Sequence, residues 1–374
     1  MKEVKLFFAG DFCSKPSTSH IAVSDRLRQM LAGCDLRICN FEVPLMPEQR
    51  VANAVFYQHD DAPEFLQSLG FDLFALANNH AFDCGDAGFL KTAAALNGKS
   101  FGAGSYNEAY RVKVVEVNGV RLGFLALSYA AKQGVFDDVS AHDGLGCAYI
   151  NDLRVNHDIM AAKQQVDYLF VLPHDGIEYI DVPLPETRAR YRDFIDYGAD
   201  AVIGTHPHCP QGWETYKGKT IFYSLGNFFF NSKNTTDFHA DKPHWYEGIC
   251  VVCTLSDDGM NFEIVNTRNR DNVGLDIDGD AARDAHNKLI CDYLQDKKKY
   301  WDYLIPVVDR LAREQEFPIV ERFYAKNSLK SLVKIVLKRT KAFLTGRSAE
   351  STEGLLMLAK NDARRSLLIQ SLKH

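Results

Sequence analysis

Short apolar runs that end on a polar or titratable residue recur along this chain, and they limit what it can fold into. Most of the runs have the length of β-strands, and segments with helical spacing separate several of them. The runs end at or beside five such residues, namely Asp11, Glu42, Asn79, His174 and His206. Alternating strands and helices predict an α/β fold, in which the functional crevice lies outside the carboxyl ends of the strands. The pattern therefore predicts one site built from distant parts of the chain.

The assignments of strands and helices extend this pattern. Strands are predicted over 4–9, 36–41, 73–77, 112–117, 120–127, 166–174, 199–203, 221–227, 249–255 and 261–266. Helices are predicted over 24–31, 88–96, 152–165, 281–299 and 300–313. Asn118-Gly119, between two apolar runs, is a strong signal for a tight hairpin. The first half of the chain therefore predicts βα units that merge into antiparallel sheet.

The composition of the chain changes near residue 280. With 374 residues, of which 46% are hydrophobic, the chain is long enough to bury a substantial core. After residue 280, helix formers and charged residues dominate. We therefore predict a first domain over 1–275 and a helical, basic C-terminal extension over 280–374.

The charge and the cysteine content of the chain indicate which binding partners and which cellular compartment to expect. The formal net charge of −6 gives no support for nucleic-acid binding. No apolar run approaches the roughly 18 residues of a membrane-spanning helix, and the run at the N-terminus is too short for a signal peptide. Nine cysteines, an odd number, fit reduced thiols better than a disulfide framework. These features predict a cytoplasmic protein.

The segment 323–374 is strongly basic, and apolar residues are interleaved among its lysines over 329–337. One interpretation is an amphipathic helix packed on its own domain, with its lysines in water. The other is a helix lying on an anionic membrane surface or on a partner protein. The first is favoured, and peripheral membrane association stays open.

The turn His206-Pro207-His208 is typical of a metal site. A proline stiffens the backbone between the two imidazoles, and neutral imidazole binds divalent first-row metals well. The remaining ligands would be Asp11, Glu42, Asn79 and His174. Six ligands exceed the needs of one tetrahedral zinc and suit a binuclear centre with a bridging carboxylate. Each residue alone also has a structural explanation as a cap, a turn residue or a buried histidine. The prediction of a metal site therefore rests on their common position at strand ends.

His80 and Asp83 form a different kind of pair. His80 directly follows the candidate ligand Asn79, and Asp83 is near enough along the chain to orient its ring. We predict that His80 is a general acid. The alternative is that Asp83 caps the helix that follows, and both roles are compatible.

Seven ordered motifs carry a resemblance to a known family over roughly residues 1–255. They are Gly10-Asp11, Asn40-Phe41-Glu42, the run 76–85 around Asn79-His80, Gly102-Ala103-Gly104, the run 174–179 that begins at His174, the run 204–208, and the run 223–228. In combination they resemble the bacterial capsule-synthesis family called CapA, the poly-γ-glutamate capsule biosynthesis proteins. This family is related to calcineurin-like metallophosphoesterases. The resemblance implies a four-layer α-β-β-α metallophosphatase-like sandwich, here with a helical C-terminal extension.

The resemblance also implies roles for individual residues. Asp11 resembles the first metal aspartate, Glu42 the bridging carboxylate, Asn79 the ligand of the Asn-His motif, His174 the isolated metal histidine, and His206 and His208 the pair of the Gly-x-His-x-His motif. His80 resembles the catalytic histidine. Ser224 and Asn227 match a motif common in the capsule family and are candidate substrate contacts. The implied cofactors are two divalent metal ions, Mn, Fe or Zn.

Three positions depart from the family pattern. Metallophosphoesterases usually have Asp-x-His where this chain has Asp11-Phe12-Cys13, so one metal lacks a histidine unless Cys13 substitutes for it. The bridging position is Glu42 instead of aspartate, and Asp175 stands where capsule-family members often have tryptophan. Whether one or two metals bind is therefore open.

Two functions follow as expectations. The first is a metal-dependent hydrolase of a phosphoester or polymer linkage in a capsule, exopolysaccharide or poly-γ-glutamate pathway, with a metal-activated water nucleophile and His80 protonating the leaving group. The loop 231–245, which contains His239, His244 and Trp245, is expected to contribute specificity. The second is a non-catalytic assembly factor that binds an anionic polymer and docks on a membrane-associated polymer synthase through its basic segment.

Overall fold

The computed structural model describes residues 3–51, 54, 56–130, 134–138, 142–232, 244–270 and 272–314. The strands are β1 (Val4–Ser14), β2 (Ala22–Val23), β3 (Leu36–Phe41), β4 (Leu73–Ala75), β5 (Ser100–Phe101), β6 (Ala103–Ser105), β7 (Lys113–Val117), β8 (Val120–Ser128), β9 (Leu145–Cys147), β10 (Tyr168–His174), β11 (Ala201–Ile203), β12 (Trp213–Tyr216), β13 (Lys219–Phe222), β14 (Asn227–Asn231), β15 (Glu247–Ser256), β16 (Gly259–Arg270) and β17 (Gly274–Asp278). The helices are α1 (Asp25–Ala32), α2 (Ala62–Ser68), α3 (Gly85–Ala95), α4 (Tyr106–Ala109), α5 (Arg154–Lys163), α6 (Pro185–Tyr197), α7 (Ala281–Gln295) and α8 (Lys297–Glu314).

The larger sheet is built around β1. This strand pairs in parallel with β3 and β14 and antiparallel with β15. The order across the sheet is β2-β17-β16-β15-β1-β3-β4-β5, with β14 also bonded to β1. Strands β3, β4 and β5 continue in parallel, whereas β15, β16 and β17 are antiparallel. The parallel half therefore directs the ends of β1 and β3 to the same edge.

The smaller sheet has the order β12-β13-β11-β10-β8-β7. Its interior strands β8, β10, β11 and β13 are parallel, and an antiparallel hairpin closes each side. The β7-β8 hairpin turns at Asn118, with φ 53°, and Gly119, with φ 82°. Both residues are in the left-handed region that a tight hairpin turn requires. The predicted Asn-Gly hairpin is confirmed.

The two sheets face each other across an aromatic core. The ring of Phe8, on β1, lies 6.4 Å from the ring of Phe124 on β8 and 5.2 Å from the ring of Phe170 on β10. One contiguous cluster of buried apolar side chains draws on both sheets. Burial of apolar surface is the main favourable contribution to folding, so this interface holds the domain together.

Helices cover the outer faces of both sheets. Helix α1 packs on β17 of the larger sheet, and α5 and α6 pack on β10, β11 and β13 of the smaller one. Ser24 caps α1 by accepting a hydrogen bond from the backbone N–H of Leu27. Pro185 begins α6, and Gly198, with φ 124°, ends it. The layers are α-β-β-α, which confirms the predicted fold class.

The chain crosses between the sheets where the apolar pattern predicts a single strand over 221–227. That prediction is wrong. Strand β13 ends at Phe222 in the smaller sheet, and β14 begins at Asn227 in the larger one. The intervening segment is as buried as the strands on either side. The hydrophobic pattern therefore does not indicate where the chain crosses from one sheet to the other.

The chain divides into two units, 1–295 and 296–374. The first contains both sheets and α1 to α7. Of the second, the structure describes α8, where Tyr300, Leu304 and Val308 recur at the spacing of one helix face. The basic segment 323–374 lies outside the described residues, so its interpretation and the domain boundary between 275 and 280 stay predictions.

Two further predictions concern the chain as a whole. No helix in the described ranges combines the length and the apolar character needed to cross a membrane. All nine cysteines lie in those ranges, and each is buried and unpaired. The prediction of reduced thiols is confirmed, including Cys250 and Cys253 as buried residues of β15.

Candidate metal centre

Five predicted ligands converge where the carboxyl ends of strands from both sheets meet. Asp11 lies on β1, Glu42 directly follows β3, and His174 ends β10. His206 and His208 lie in the turn after β11. All five side chains are buried. The backbone N–H of His206 donates to Oδ2 of Asp11 at 3.1 Å, which ties the turn of one sheet to the strand of the other.

The ligand atoms fall into two groups that share Glu42. One group comprises Glu42, His174 and His206, and the other comprises Asp11, Glu42 and His208. Within each group the candidate ligand atoms lie within 4.8 Å of one another. A carboxylate common to two ligand groups is the arrangement expected of a binuclear centre.

Asn79 belongs to the first group by position. Its Oδ1 atom lies 2.8 Å from Nε2 of His174, and the same nitrogen lies 3.2 Å from Nδ1 of His206. One imidazole nitrogen facing both an amide oxygen and a second imidazole nitrogen cannot satisfy both neighbours with a single proton. A cation between these three electron-pair donors would satisfy all of them.

The electrostatics of the cluster favour a bound cation. Oε1 of Glu42 is buried and accepts no hydrogen bond from any described residue. Burial raises the pKa of Asp11, and burial together with the charge of Asp11 raises the pKa of Glu42 well above its ordinary value. Two buried carboxylates close together are costly, and so is a buried oxygen without a hydrogen bond; a divalent cation would neutralise both carboxylates. The residues therefore fit the metal that the fold implies.

Two histidines of the cluster, His174 and His206, are in the neutral state that binds metal. Burial, followed by the neighbouring histidines, lowers the pKa of His174 and of His206 well below the ordinary value. They are therefore neutral at physiological pH, with a lone pair free for coordination.

The turn that carries His206 and His208 is held in an unusual backbone conformation. His206 has φ 99° and His208 has φ 56°, both in the left-handed region that residues other than glycine rarely adopt. Such strain persists only where the surroundings enforce it, and it concentrates at functional sites. Here it presents two imidazoles, separated by one residue of the turn, to the same cluster.

His80 and Asp83 form the predicted dyad. Nδ1 of His80 lies 2.6 Å from Oδ2 of Asp83, and both side chains are largely buried. The ring of Phe56 packs 4.8 Å from the ring of His80. With Nδ1 engaged by the carboxylate, Nε2 is the nitrogen available for proton transfer. The role of His80 as a general acid stays a prediction.

Cys13 does not take the place of the missing histidine. It is buried in an apolar cluster with Val43, Phe230 and Trp245, and it belongs to none of the ligand groups found among the described residues. Burial raises the pKa of its thiol well above the ordinary value, which disfavours the thiolate that binds metal.

Sequence reasoning missed two residues of the centre. Glu178 forms a third group with His206 and His208, again with ligand atoms within 4.8 Å of one another. Asn40 donates from Nδ2 to Oδ1 of Asp11 at 2.7 Å and lies 3.2 Å from Nδ1 of His174. Both residues lie inside motifs that carry the family resemblance. Asn40 is two positions before Glu42, and Glu178 is four positions after His174, so closeness to a predicted ligand in the sequence could have identified them.

Ser224 and Asn227 are occupied by contacts inside the protein. The Ser224 hydroxyl is fully buried and accepts from the backbone N–H of Gly226 at 3.0 Å. Oδ1 of Asn227 lies 2.9 Å from Nδ1 of His208, and its Nδ2 donates to the carbonyl of Trp245 at 3.0 Å. Asn227 therefore orients a candidate ligand. A direct substrate contact for either residue stays a prediction.

Trp245 lines the centre on the side of His208. The two rings lie 5.0 Å apart, and Tyr179 packs 5.8 Å from Trp245. Of the other histidines in the predicted specificity loop, His239 lies outside the described residues.

Comparison with known proteins gives consistent results. The family model described as bacterial capsule synthesis protein PGA_cap matches residues 5–232. The chain is 31% identical over 206 residues to the capsule biosynthesis protein CapA of Bacillus anthracis, covering 51% of this chain and 49% of that protein. It is 33% identical over 207 residues to the PGA biosynthesis protein CapA of Bacillus subtilis (strain 168), covering 51% and 52% respectively. The chain thus spans about half the length of these relatives.

Among solved structures, a novel phosphatase from Mycoplasma pneumoniae is similar, with a TM-score of 0.45 and 16% identity. The match covers 71% of this chain and 94% of that one.

Proposed function

The chain belongs to the bacterial capsule synthesis family, and from that premise we propose that it is a metal-dependent hydrolase of a capsule, exopolysaccharide or poly-γ-glutamate pathway. The bond cleaved would be a phosphoester or a linkage within the polymer, and the substrate would be anionic.

The observation that carries this proposal is the pair of ligand groups joined at Glu42. A purely structural cluster would give each buried carboxylate oxygen a donor, yet only Oε2 of Glu42 has one, Nδ2 of Asn40 at 3.5 Å, and Oε1 receives no hydrogen bond within the described residues. Bound divalent metals would supply Lewis-acid activation of water and of an electrophilic phosphoryl or acyl group. Their identity would be Mn, Fe or Zn.

The residues around the ligands have separable tasks in this proposal. Asn40 fixes the orientation of Asp11, and Asn227 fixes that of His208. His80 delivers a proton to the leaving group, and Asp83 holds its ring in the required tautomer.

Glu178 would complete the ligand set on the side where the family histidine is absent. It lies with His206 and His208, and its charge contributes to the raised pKa of Glu42 after burial and Asp11. A carboxylate is a good ligand for a hard divalent ion, so replacing a histidine by Glu178 would keep two metals and make the centre more negative.

The test combines metal analysis with turnover. Protein loaded with Mn, Fe or Zn, and protein treated with EDTA, would be assayed on a generic aryl phosphodiester and on γ-glutamyl polymer. The proposal expects metal-dependent hydrolysis of at least one substrate, abolished by His80→Ala without loss of metal. The proposal would be overturned if the protein binds no metal and hydrolyses neither substrate.

A second candidate is a non-catalytic assembly factor that binds an anionic polymer. The burial of Cys13 in an apolar cluster, at the position of the histidine in the Asp-x-His motif of metallophosphoesterases, favours it. In this case a membrane-associated synthase would be the partner. Polymer binding that is unchanged by His80→Ala, with no turnover, would support this candidate over the enzyme.

A further inference from the structure

A second cluster of ligand-type side chains lies apart from the centre at Glu42. It comprises Asp181, in the loop between β10 and α6, His244, just before β15, and His286, on α7. One ligand atom from each residue lies within 4.8 Å of the others. The cluster shares no residue with the groups around Glu42, and its members come from three separate segments of the first unit.

One ring nitrogen of the cluster has an ion-pair contact but no hydrogen bond in the part of the chain that the structure describes. Nε2 of His286 lies 3.1 Å from Oδ2 of Asp181, yet it is buried and forms no hydrogen bond with any described residue. The rings of His244 and His286 stack 4.4 Å apart at 16°. Each imidazole has its own carboxylate neighbour, Asp181 for His286 and Glu247 for His244, but the stacked rings would repel each other if both were protonated.

His244 has the outer partner expected of a metal ligand. Its Nδ1 lies 2.6 Å from Oε2 of Glu247, and Nε of Arg283 lies 3.6 Å from the same oxygen. Ligand histidines nearly always donate their second ring N–H to a carboxylate or carbonyl, which fixes the tautomer. This contact leaves Nε2 of His244 for the metal. His244 also has φ 67°, so the backbone is strained at this position.

We infer that Asp181, His244 and His286 form a zinc site. Two imidazole nitrogens and one carboxylate oxygen are a donor set that suits zinc, with a fourth position left for water. Because the two rings are nearly parallel, at least one must turn about its Cβ–Cγ bond to reach a common ion. The ion would tie α7 to the segment before β15, next to Trp245, whose ring contacts His208.

The test measures zinc content and affinity in the full chain. Removing one ligand by His286→Gln should lower the zinc retained after gel filtration by about one equivalent per chain. Asp181→Asn should do the same, and Glu247→Gln should weaken zinc binding about 10- to 100-fold, as outer partners of ligands typically do. The matched control is His157→Gln, an exposed histidine of α5, which should retain the wild-type content.

Two further measurements separate this site from the centre at Glu42 and from misfolding. His206→Ala should lose metal at that centre yet keep the zinc equivalent that depends on His286. Cobalt loaded at a three-ligand site with one water should show the strong visible bands of tetrahedral geometry, and His286→Gln should remove them while leaving the circular dichroism spectrum unchanged. A well-folded His286→Gln variant with wild-type zinc content and an unchanged cobalt spectrum would overturn the inference.

Discussion

The Oε1 atom of Glu42 lies 3.6 Å from Nε2 of His208, too far for a hydrogen bond between them. Two atoms that bind one divalent ion at about 2.0–2.2 Å stand about 3–4 Å apart, so this separation suits a shared metal. Nε2 of His174 lies 3.9 Å from the same oxygen on the side of the other ligand group. Glu42 is thus placed to bridge, although an aspartate is more usual in related sites.

Glu42→Gln should change stability in opposite directions with and without metal. In EDTA at neutral pH the variant should melt at a higher temperature, because it removes a buried acid whose charged form is disfavoured by burial and by the charge of Asp11. With saturating metal the wild type should be the more stable, since a ligand at about 100 times its Kd adds about 2.7 kcal/mol. Calorimetry in both conditions tests this.

The control for this experiment is Glu116→Gln, an exposed residue of β7. It should leave both melting temperatures within experimental error. A Glu42→Gln variant that is destabilised equally in EDTA and in metal would show that the carboxylate has a structural role only.

His80→Ala should reduce kcat on the responsive substrate by about 100- to 10,000-fold, the usual contribution of a general acid. Asp83→Asn should cause a smaller loss of kcat, because it removes the carboxylate that holds Nδ1. Metal content should not change, since neither residue belongs to a ligand group. An unaltered kcat in His80→Ala would show that His80 is not the general acid.

Glu178→Gln should lower the bound metal from about two equivalents to about one. The reason is that a carboxylate oxygen of Glu178 lies within 4.8 Å of ligand atoms of His206 and His208, and we propose that it replaces the absent Asp-x-His histidine. Cys13→Ser should retain both metals, because Cys13 packs among apolar side chains. The reverse pattern in a metal titration, with Cys13→Ser losing an ion and Glu178→Gln losing none, would contradict this assignment.

The strand ends were predictable because each is a local signal. A buried run followed by one polar residue marks Asp11, Glu42 and His174 without knowledge of the rest of the fold. That these ends meet follows from the parallel direction of β1 with β3 and of β10 with β11. Sequence therefore located most of the candidate centre.

The surroundings of Cys13 and Glu178 were not predictable. Strict alternation along β1 would put residues 11 and 13 on one face, but the pairing of β1 with both neighbours is irregular next to Asp11. The position of the Glu178 side chain depends on the turn at the next residue, Tyr179, which has φ 67°. Such irregularities follow from tertiary contacts, and propensities do not encode them.

A buried ion network beneath α6 gives a prediction about pH. Glu214, on β12, accepts hydrogen bonds from Arg192 at 2.7 Å and from the Tyr223 hydroxyl at 2.5 Å, and Arg188 lies 2.9 Å away. Burial acts to raise the pKa of Glu214, but these donors outweigh it, so the pKa is lowered. For an acid with a lowered pKa, the stabilisation is fully present above the unfolded value of about 4.5 and is lost as pH falls through the folded value.

Glu214→Gln should therefore cost about 3 kcal/mol in free energy of unfolding at pH 7, because it leaves arginines without their buried partner. The difference from wild type should begin to shrink as pH falls below about 4.5, where the unfolded chain takes up the proton, and it should be lost as pH falls through the lower pKa of the folded protein. Urea denaturation at several pH values measures it. Asp196→Asn, which removes an exposed partner of Lys217, is the matched control and should change stability little at any pH. A loss in Glu214→Gln that stays constant from pH 7 to pH 3 would mean that packing, and not charge, holds α6 on β12.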